Sequence, residues 1–288
     1  MENVPSVPHF QCTIKSFLAD CYIAVVLRDS LQNTKTATFA VLLPNPFKQL
    51  MPCPVGTGFF VSEDGLFVTA AHVVTQDYTS HGHVRTDIEK GWLMAEPPPG
   101  DWGRRMCTGL SVVTVVPQHD IAILKADETA NRDKSWLKGG RFPFIPVSFS
   151  ELEEGEPVYS FGYPLAHATT LDLGEVIYGD PVLTPRITSA IVSSKIEKTE
   201  MVRGDVQPSI YVLDKALNYG NSGGPILSSE TGHVYAVSSR FIPVPIKQLS
   251  SDGKEFNLKI PSLYSVAIGL SNNSVRQSLE ELGVREAR

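Results

Sequence analysis

Short runs rich in Val, Ile, Tyr, Phe and Thr, each closed by Gly, Pro, Asn, Asp or Ser, constrain this 288-residue chain more than any other feature. Cys21–Arg28, Thr36–Leu43, Gly58–Val61, Leu66–Ala70, Leu110–Val116 and Ile121–Lys125 read as strands. So do Pro157–Phe161, Ile187–Ser194, Ile210–Asp214, Val234–Ser239 and Tyr264–Leu270. Strands this short, separated by turns rather than helices, build sandwiches or barrels and not βαβ units. One long helical pattern stands apart near the C-terminus. Ser271 or Asn272 can cap it, Val275, Leu279 and Leu282 recur at helical spacing, and Gly283 sits where a helix stops. Thr75–Arg105, with its Glu96-Pro97-Pro98-Pro99-Gly100 run, and the polar Ala126–Gly140 read as loops. The second divides the chain into lobes of similar size, 1–140 and 141–288.

Charge and composition narrow the function classes. Twenty-five basic against thirty-one acidic side chains give a formal charge of −6, which argues against a nucleic-acid footprint. Met1–Gln11 has neither the basic flank nor the apolar run of a secretory signal, and no uninterrupted apolar stretch is long enough to span a bilayer. The expectation is a soluble, cytoplasmic protein without a membrane span. Cys12, Cys21, Cys53 and Cys107 are irregularly spaced, which predicts free and mostly buried thiols rather than a disulfide framework or zinc ribbon. His81-Gly82-His83 has no acidic or thiol partner at ligand spacing, so no metal is expected.

The chemistry concentrates in Asn218-Tyr219-Gly220-Asn221-Ser222-Gly223-Gly224-Pro225. A serine hydroxyl attacks a carbonyl only when a base removes its proton, and acyl transfer also needs donors aimed at the oxygen that becomes negative. Gly220 can adopt backbone angles closed to other residues, which lets its N–H and that of Ser222 point into one cavity. Gly223 and Gly224 are expected to keep bulk away from a substrate chain. Taken blandly, the same run is a flexible turn between two strands.

A base and its orienting group are available upstream. Val68-Thr69-Ala70-Ala71-His72 ends a strand on a histidine preceded by small residues, which leave room for close approach. In Asp120-Ile121-Ala122-Ile123-Leu124-Lys125 a carboxylate heads an apolar strand, where partial burial demands a partner. A histidine N–H is a suitable partner and fixes the tautomer a general base requires. His119 would point the opposite way if that segment were extended. Activity is expected to rise with pH as His72 gives up its proton.

The blocks Thr69-Ala70-Ala71-His72, Asp120-Ile121-Ala122-Ile123-Leu124 and Gly220-Asn221-Ser222-Gly223-Gly224-Pro225, in that order, resemble the three catalytic blocks of the trypsin-like serine peptidases. Val158–Pro164, Ile187–Ser193 and Val266–Asn272 make the chain most similar to the HtrA branch. The resemblance runs from about Gly56 to Leu282. It implies an all-β fold of two antiparallel barrel lobes, with the active site in the cleft between them and a C-terminal helix. It also implies a catalytic triad of Ser222, His72 and Asp120, an oxyanion hole from Gly220 and Ser222, and a polypeptide substrate with no cofactor.

Departures from the branch carry their own expectations. Tyr219 stands where proline usually precedes the oxyanion glycine, which implies a more mobile loop and admits a collapsed resting state. Asn221 stands where zymogen-type relatives have an aspartate, so activation by N-terminal cleavage is not expected. The residues after Gly283 leave no room for the PDZ domain typical of HtrA proteins, so neither that regulation nor trimer assembly carries over, and the oligomeric state stays open. By resemblance the primary pocket has Ala216 at its floor, where trypsin carries an aspartate, with Val237, Ser238 and Val266 among its walls. Such a pocket favours a small or medium aliphatic residue before the scissile bond. Asp214 is read as bracing this segment. Two alternatives remain: a catalytically silent protease-fold binding or sensor module, and, less compatible with the β-rich pattern, an esterase-type hydrolase.

Overall fold

The computed structural model describes residues 29–44, 52–75, 90–96, 104–127, 135–137, 139–164, 166–172, 177–196, 209–249 and 255–287. Its architecture is all-β, as expected. The first seven strands are β1 (Thr38–Pro44), β2 (Pro52–Phe60), β3 (Leu66–Ala70), β4 (Trp92–Ala95), β5 (Arg105–Cys107), β6 (Leu110–Val116) and β7 (Ile121–Ala126). They form one antiparallel sheet in the order β5-β4-β1-β2-β3-β7-β6, a half-barrel rather than a closed ring among the described residues. The second lobe holds β8 (Pro157–Gly162), β9 (His167–Asp172), β10 (Ile177–Val182), β11 (Arg186–Ile196), β12 (Ile210–Leu213), β13 (Pro225–Ser228), β14 (Val234–Leu249) and β15 (Glu255–Gly269). Six of these close a barrel in the order β11-β12-β15-β14-β13-β8, while β9 and β10 pair with each other.

Strand periodicity sorts the apolar side chains into distinct cores. Along β3 and β7, Phe67, Ala122 and Leu124 point into a cluster with Phe39, Leu42 and Phe60 inside the first lobe. Their alternates Leu66, Val68, Ile121 and Ile123 join Tyr159, Leu227, Val237, Ile268 and Leu270 from the second lobe. This inter-lobe cluster also takes Val275 and Leu279 of the C-terminal helix, Asn273–Glu281. Each large apolar side chain so buried contributes on the order of 1.5–3 kcal/mol. The barrel interior is a third cluster containing Val158, Val192, Tyr211, Ile226 and Ala267. β3 and β7 are therefore fixed from both faces, which makes their ends a rigid place for His72 and Asp120.

Some local expectations need correction. The Thr75–Arg105 stretch contains a strand, β4, whose Trp-Leu-Met-Ala is too short and too poor in β-branched residues to signal one. Its Trp92 is half-buried against the first-lobe core. Residues 29–37 are helical, so β1 begins at Thr38 rather than Thr36. Asn272 does occupy the N-cap position of the C-terminal helix but makes no capping bond. Its side chain instead accepts from Ser209 N–H at 2.8 Å and donates to the Gly269 carbonyl at 2.6 Å, tying helix to barrel. Cys21–Arg28, Cys12 and His81–His83 lie outside the described residues. Cys107 is buried and in no disulfide, with its thiol 3.7 Å from the Thr108 carbonyl. Among the described residues no helix is long and apolar enough to cross a membrane.

Candidate active site

His72 sits in a single helical turn, Ala71–Val74, at the end of β3. Asp120 follows the 3-10 turn Pro117–His119 and leads into β7. The register that pairs Ala70 with Ile121 brings the two residues together. Asp120 is the sole non-glycine with positive φ among the described residues, at φ 52°, ψ 37°. An aspartate tolerates that left-handed conformation better than most side chains. The conformation is held from two sides, because the Asp120 carbonyl accepts from Ala71 N–H at 2.9 Å and Oδ1 from His72 N–H at 3.0 Å.

The side chains meet as well. His72 Nδ1 lies 3.0 Å from both Asp120 oxygens. Asp120 is nearly buried at 5% exposure, whereas His72 retains 27%. Burial alone pushes the Asp120 carboxyl up. The hydrogen bond and charge of His72 and the bond from Ser239 outweigh it, so the carboxyl titrates below its usual range. Asp120 is thus an anion held against an imidazole.

Ser222 reaches the same cluster from the other lobe through Ser239. Between Ser238↔Ala267 and Arg240↔Val266 the β14–β15 ladder contains one extra residue, and that residue is Ser239. A bulge re-aims the groups it carries. Here the Ser239 hydroxyl donates to Asp120 Oδ2 at 2.5 Å, and its backbone carbonyl accepts from Ser222 Oγ at 3.0 Å. Sequence reasoning placed the neighbouring Val237 and Ser238 along the pocket and missed this bridge; a bulge depends on strand pairing and leaves no mark in a strand-like run.

The loop around Ser222 is pinned by β2. Thr57 N–H donates to the Ser222 carbonyl at 2.8 Å and Thr57 Oγ1 to the Gly220 carbonyl at 2.5 Å. Tyr163 N–H donates back to Thr57 Oγ1 at 3.1 Å. Asn221 N–H closes a turn on the Asn218 carbonyl at 3.0 Å, Gly223 N–H bonds the Ser238 carbonyl at 2.7 Å, and Gly224 N–H bonds the Asn221 carbonyl at 2.8 Å. The N–H groups of Gly220 and Ser222, between these, have no acceptor among the described residues. Gly220 has φ 96°, which the turn requires of it.

Gly223 and Gly224 do something other than clear space for a substrate. A Cβ on Gly223, at φ 87°, would lie 2.1 Å from the Thr57 carbonyl and 2.2 Å from Thr69 Oγ1. On Gly224 it would lie 3.0 Å from the Asn221 carbonyl. Both glycines face protein, and Gly223 permits the Ser222 loop to close on the strand that carries His72. Gly56 serves the same approach from β2, where a Cβ would meet Val73 and the Ser222 carbonyl. Asn221 is buried, with Oδ1 against the backbone of Gly162.

The remaining sequence-derived positions are spread more widely. Ala216 and Val266 are half-buried, and Ser238 is buried with its backbone bonded to Gly223 and Gly224. Val237 is fully buried in the inter-lobe core. Tyr219, beside Gly220, is 68% exposed. Asp214 Oδ1 accepts from Ile191 N–H at 2.8 Å and so ties the end of β12 to β11. His119 belongs to a 3-10 turn rather than an extended segment, so alternation does not decide its direction. It is buried at 1% exposure, and neither ring nitrogen has a partner among the described residues. Also among them, no cluster of His, Cys, Asp and Glu side chains could hold a metal ion.

A half-barrel and a barrel sharing one core, with a histidine–aspartate pair and a serine brought together where they meet, define the trypsin-like peptidase class. The model of the trypsin-like peptidase domain matches residues 56–237, and the chain belongs to that family. Among its relatives, serine protease HTRA1 of Xenopus laevis is 28% identical over 196 residues, 67% of this chain and 33% of that protein. The mitochondrial serine protease HTRA2 of Bos taurus is 30% identical over 220 residues, 74% of this chain and 38% of that protein. The chain thus spans about a third of the length of the curated relatives it matches. The solved structure of the HtrA-type protease AlgW with a tripeptide shares the fold at a TM-score of 0.53 and 16% identity, covering 90% of this chain and 64% of that one.

Proposed function

We propose that the protein is a serine endopeptidase that cleaves polypeptides through an acyl-enzyme on Ser222. The observation that carries this reading is the double role of Ser239, which joins Asp120 through its hydroxyl and Ser222 through its carbonyl. That one bulged residue links the anion that orients His72 to the candidate nucleophile. Ser222 turns from the Ser239 carbonyl toward the imidazole as substrate binds. His72 removes the serine proton and later delivers it to the leaving amine, while Asp120 stabilises the imidazolium. The N–H groups of Gly220 and Ser222, which no described residue engages, receive the oxyanion, and donors of this kind are worth about 2.7–4 kcal/mol each. Water then releases the acyl group by the same steps in reverse.

The primary pocket is assigned to Ala216, Ser238 and Val266, with Val237 supporting the strand from behind. Without a carboxylate at Ala216 a Lys or Arg side chain would lack its counter-charge. The preference is therefore for small or medium aliphatic residues, and such a pocket separates single methylenes by only about 1–3 kcal/mol.

Covalent labelling with a fluorophosphonate, read by intact mass against Ser222→Ala, tests the reading. One adduct on the parent protein and none on the variant is expected. Absence of labelling at any concentration would favour the silent binding module. A peptide-library profile then tests the pocket, and dominant cleavage after Lys or Arg would refute it.

A further inference from the structure

The bulge that aims Ser239 also decides where Arg240 points. Val237 of β14 pairs with Ile268 of β15, and both belong to the core shared by the lobes. The next pair is Ser238 with Ala267, and Ala267 lies in the barrel interior. Opposed residues share a face, and successive pairs alternate between faces. Arg240 pairs with Val266, which returns it to the face turned toward the first lobe. There Val266 is half-buried against the shared core, whereas Arg240 is exposed. Without the extra residue Arg240 would stand opposite Ser265, whose other neighbour, Leu213, lies in the barrel interior, and its charge would be buried.

The position adjoins the chemistry. Arg240 follows Ser239, whose hydroxyl donates to Asp120 and whose carbonyl accepts from Ser222. Across the ladder stands Val266, assigned above to the pocket for the residue before the scissile bond. Cβ atoms of opposed residues lie about 4.5–5.5 Å apart, and an extended substrate advances about 3.4 Å per residue. With the residue before the scissile bond against Val266, the residues that precede it come within reach of the guanidinium. An arginine stays protonated, and its planar fork matches a carboxylate. Asp120 does not present that carboxylate to the cleft, because it is 5% exposed and held by His72 and Ser239.

We propose that Arg240 is a specificity-determining residue that selects polypeptides with an aspartate or glutamate in the second, third or fourth position before the scissile bond. The inference rests on the peptidase reading above and adds a substrate class to it. The primary pocket, with Ala216 at its floor, supplies no charge, so charge recognition moves outward to Arg240. Ser239 and Arg240 then divide the work of one bulge: the first residue ties the Asp120 anion to the Ser222 loop, and the second offers a cation to the substrate.

The test uses N-acetylated, C-amidated peptides that share one aliphatic residue before the scissile bond. Each of the three preceding positions is set in turn to Asp, Glu, Asn, Gln or Lys. The readout is the ratio of kcat/KM on an acidic peptide to that on its amide counterpart. A ratio taken within one protein does not depend on how much of it is active. The parent should favour the acid at one of these positions by about two- to fivefold, the size of an exposed ion pair. Raising salt from about 0.05 to about 0.5 M should shrink that preference. Arg240→Gln should bring the ratio to about one, and Arg240→Glu should turn the preference to Lys at the same position. The proposal is overturned if the parent shows no acid preference, or if Arg240→Gln keeps it, which includes equal loss on acidic and neutral peptides. Should the parent neither label with fluorophosphonate nor cleave, the peptidase reading fails separately. Anisotropy of the acidic and amide peptides on Ser222→Ala protein, with and without Arg240→Gln, then decides the role of Arg240. Tighter binding of the acid that needs the arginine supports the proposal, and equal affinities sink it.

Discussion

The Thr57 hydroxyl donates to the Gly220 carbonyl at 2.5 Å, joining β2 of the first lobe to the loop that precedes Ser222. The peptide that follows Gly220 is thereby clamped at both ends, since its N–H, on Asn221, bonds the Asn218 carbonyl. A loop whose Tyr219 implied mobility is in this way held in register by a residue some 160 positions away in sequence. Thr57→Val keeps the shape and removes the hydroxyl, leaving the Gly220 carbonyl and the Tyr163 N–H unpaired. Buried groups so orphaned cost about 1–3 kcal/mol each. Urea unfolding should show a loss of that order, and fluorophosphonate labelling of Ser222 should slow by about tenfold or more as the oxyanion donors lose alignment. Unchanged labelling in a destabilised variant would confine Thr57 to a role in folding.

Ser239→Ala tests the bridge between Asp120 and Ser222. The bulge and its carbonyl remain, so Ser222 keeps its acceptor and only the hydroxyl on Asp120 is lost. A hydrogen bond to a charged group is worth about 1.5–3 kcal/mol. Asp120 titrates below its usual range in the folded protein, so its contribution is full above the unfolded value and fades as pH falls through the depressed one. Removing the Ser239 donor brings the folded value back toward the unfolded one. The variant should be less stable than the parent at neutral pH, and the gap should close only as pH falls past the depressed folded value of the parent, where the carboxyl is protonated in both proteins. A gap between the two that persisted in acid would show that the hydroxyl acts by packing alone.

The three chemical blocks were legible because each is a contiguous run whose residue types the chemistry demands: a serine among glycines, a histidine after small residues, an aspartate heading an apolar strand. The strands containing them were legible for the same reason, and β3, β6 and β7 fall close to where β-branched alternation puts them. What escaped was long-range. Thr57 is an unremarkable threonine until β2 meets the Ser222 loop, and Ser239 is one serine of a pair until the register gains a residue there. The outer halves of β14 and β15 escaped because prolines at 243, 245 and 261 break the usual strand signal. Gly223 was noticed but given the wrong neighbour, since a sequence does not say which side of a turn faces protein.

That misplacement yields a sharp comparison between two glycines of similar conformation. Gly223 at φ 87° and Gly283 at φ 90° both lie where an L side chain is strained, by roughly 1–2 kcal/mol. A Cβ on Gly283 meets nothing within 4 Å, whereas one on Gly223 lies 2.1 Å from the Thr57 carbonyl and 2.8 Å from Ala70 N. Gly283→Ala should therefore fold, label with fluorophosphonate at the parental rate and lose only the strain energy. Gly223→Ala should force the Ser222 loop off β2 and β3 and abolish labelling even in whatever fraction remains soluble. Parental labelling of Gly223→Ala would mean that the two lobes do not close in the way described.

His119 supplies the pH dependence of stability in the range just below neutrality. Burial at 1% exposure, with no partner for either ring nitrogen among the described residues, disfavours the charged form, so its pKa is held below the ordinary value in the folded protein. In the unfolded chain the imidazole takes up a proton as pH falls through about 6.5. Below that point the unfolded state binds more protons than the folded one, and stability must fall with pH until the depressed folded value is passed. His233, also lowered by burial, adds in the same direction but from a more exposed site. Asp120 and the other carboxylates contribute only at lower pH, which separates the two effects. Thermal unfolding between about pH 7.5 and 5.5 should show a falling midpoint for the parent and a shallower fall for His119→Leu, with His233 accounting for the remainder. Because His119 abuts Asp120 in the same turn, the variant should be assayed for labelling as well. An identical slope in both proteins would mean that His119 takes up its proton over the same pH range in the folded and the unfolded chain, and so carries none of the dependence.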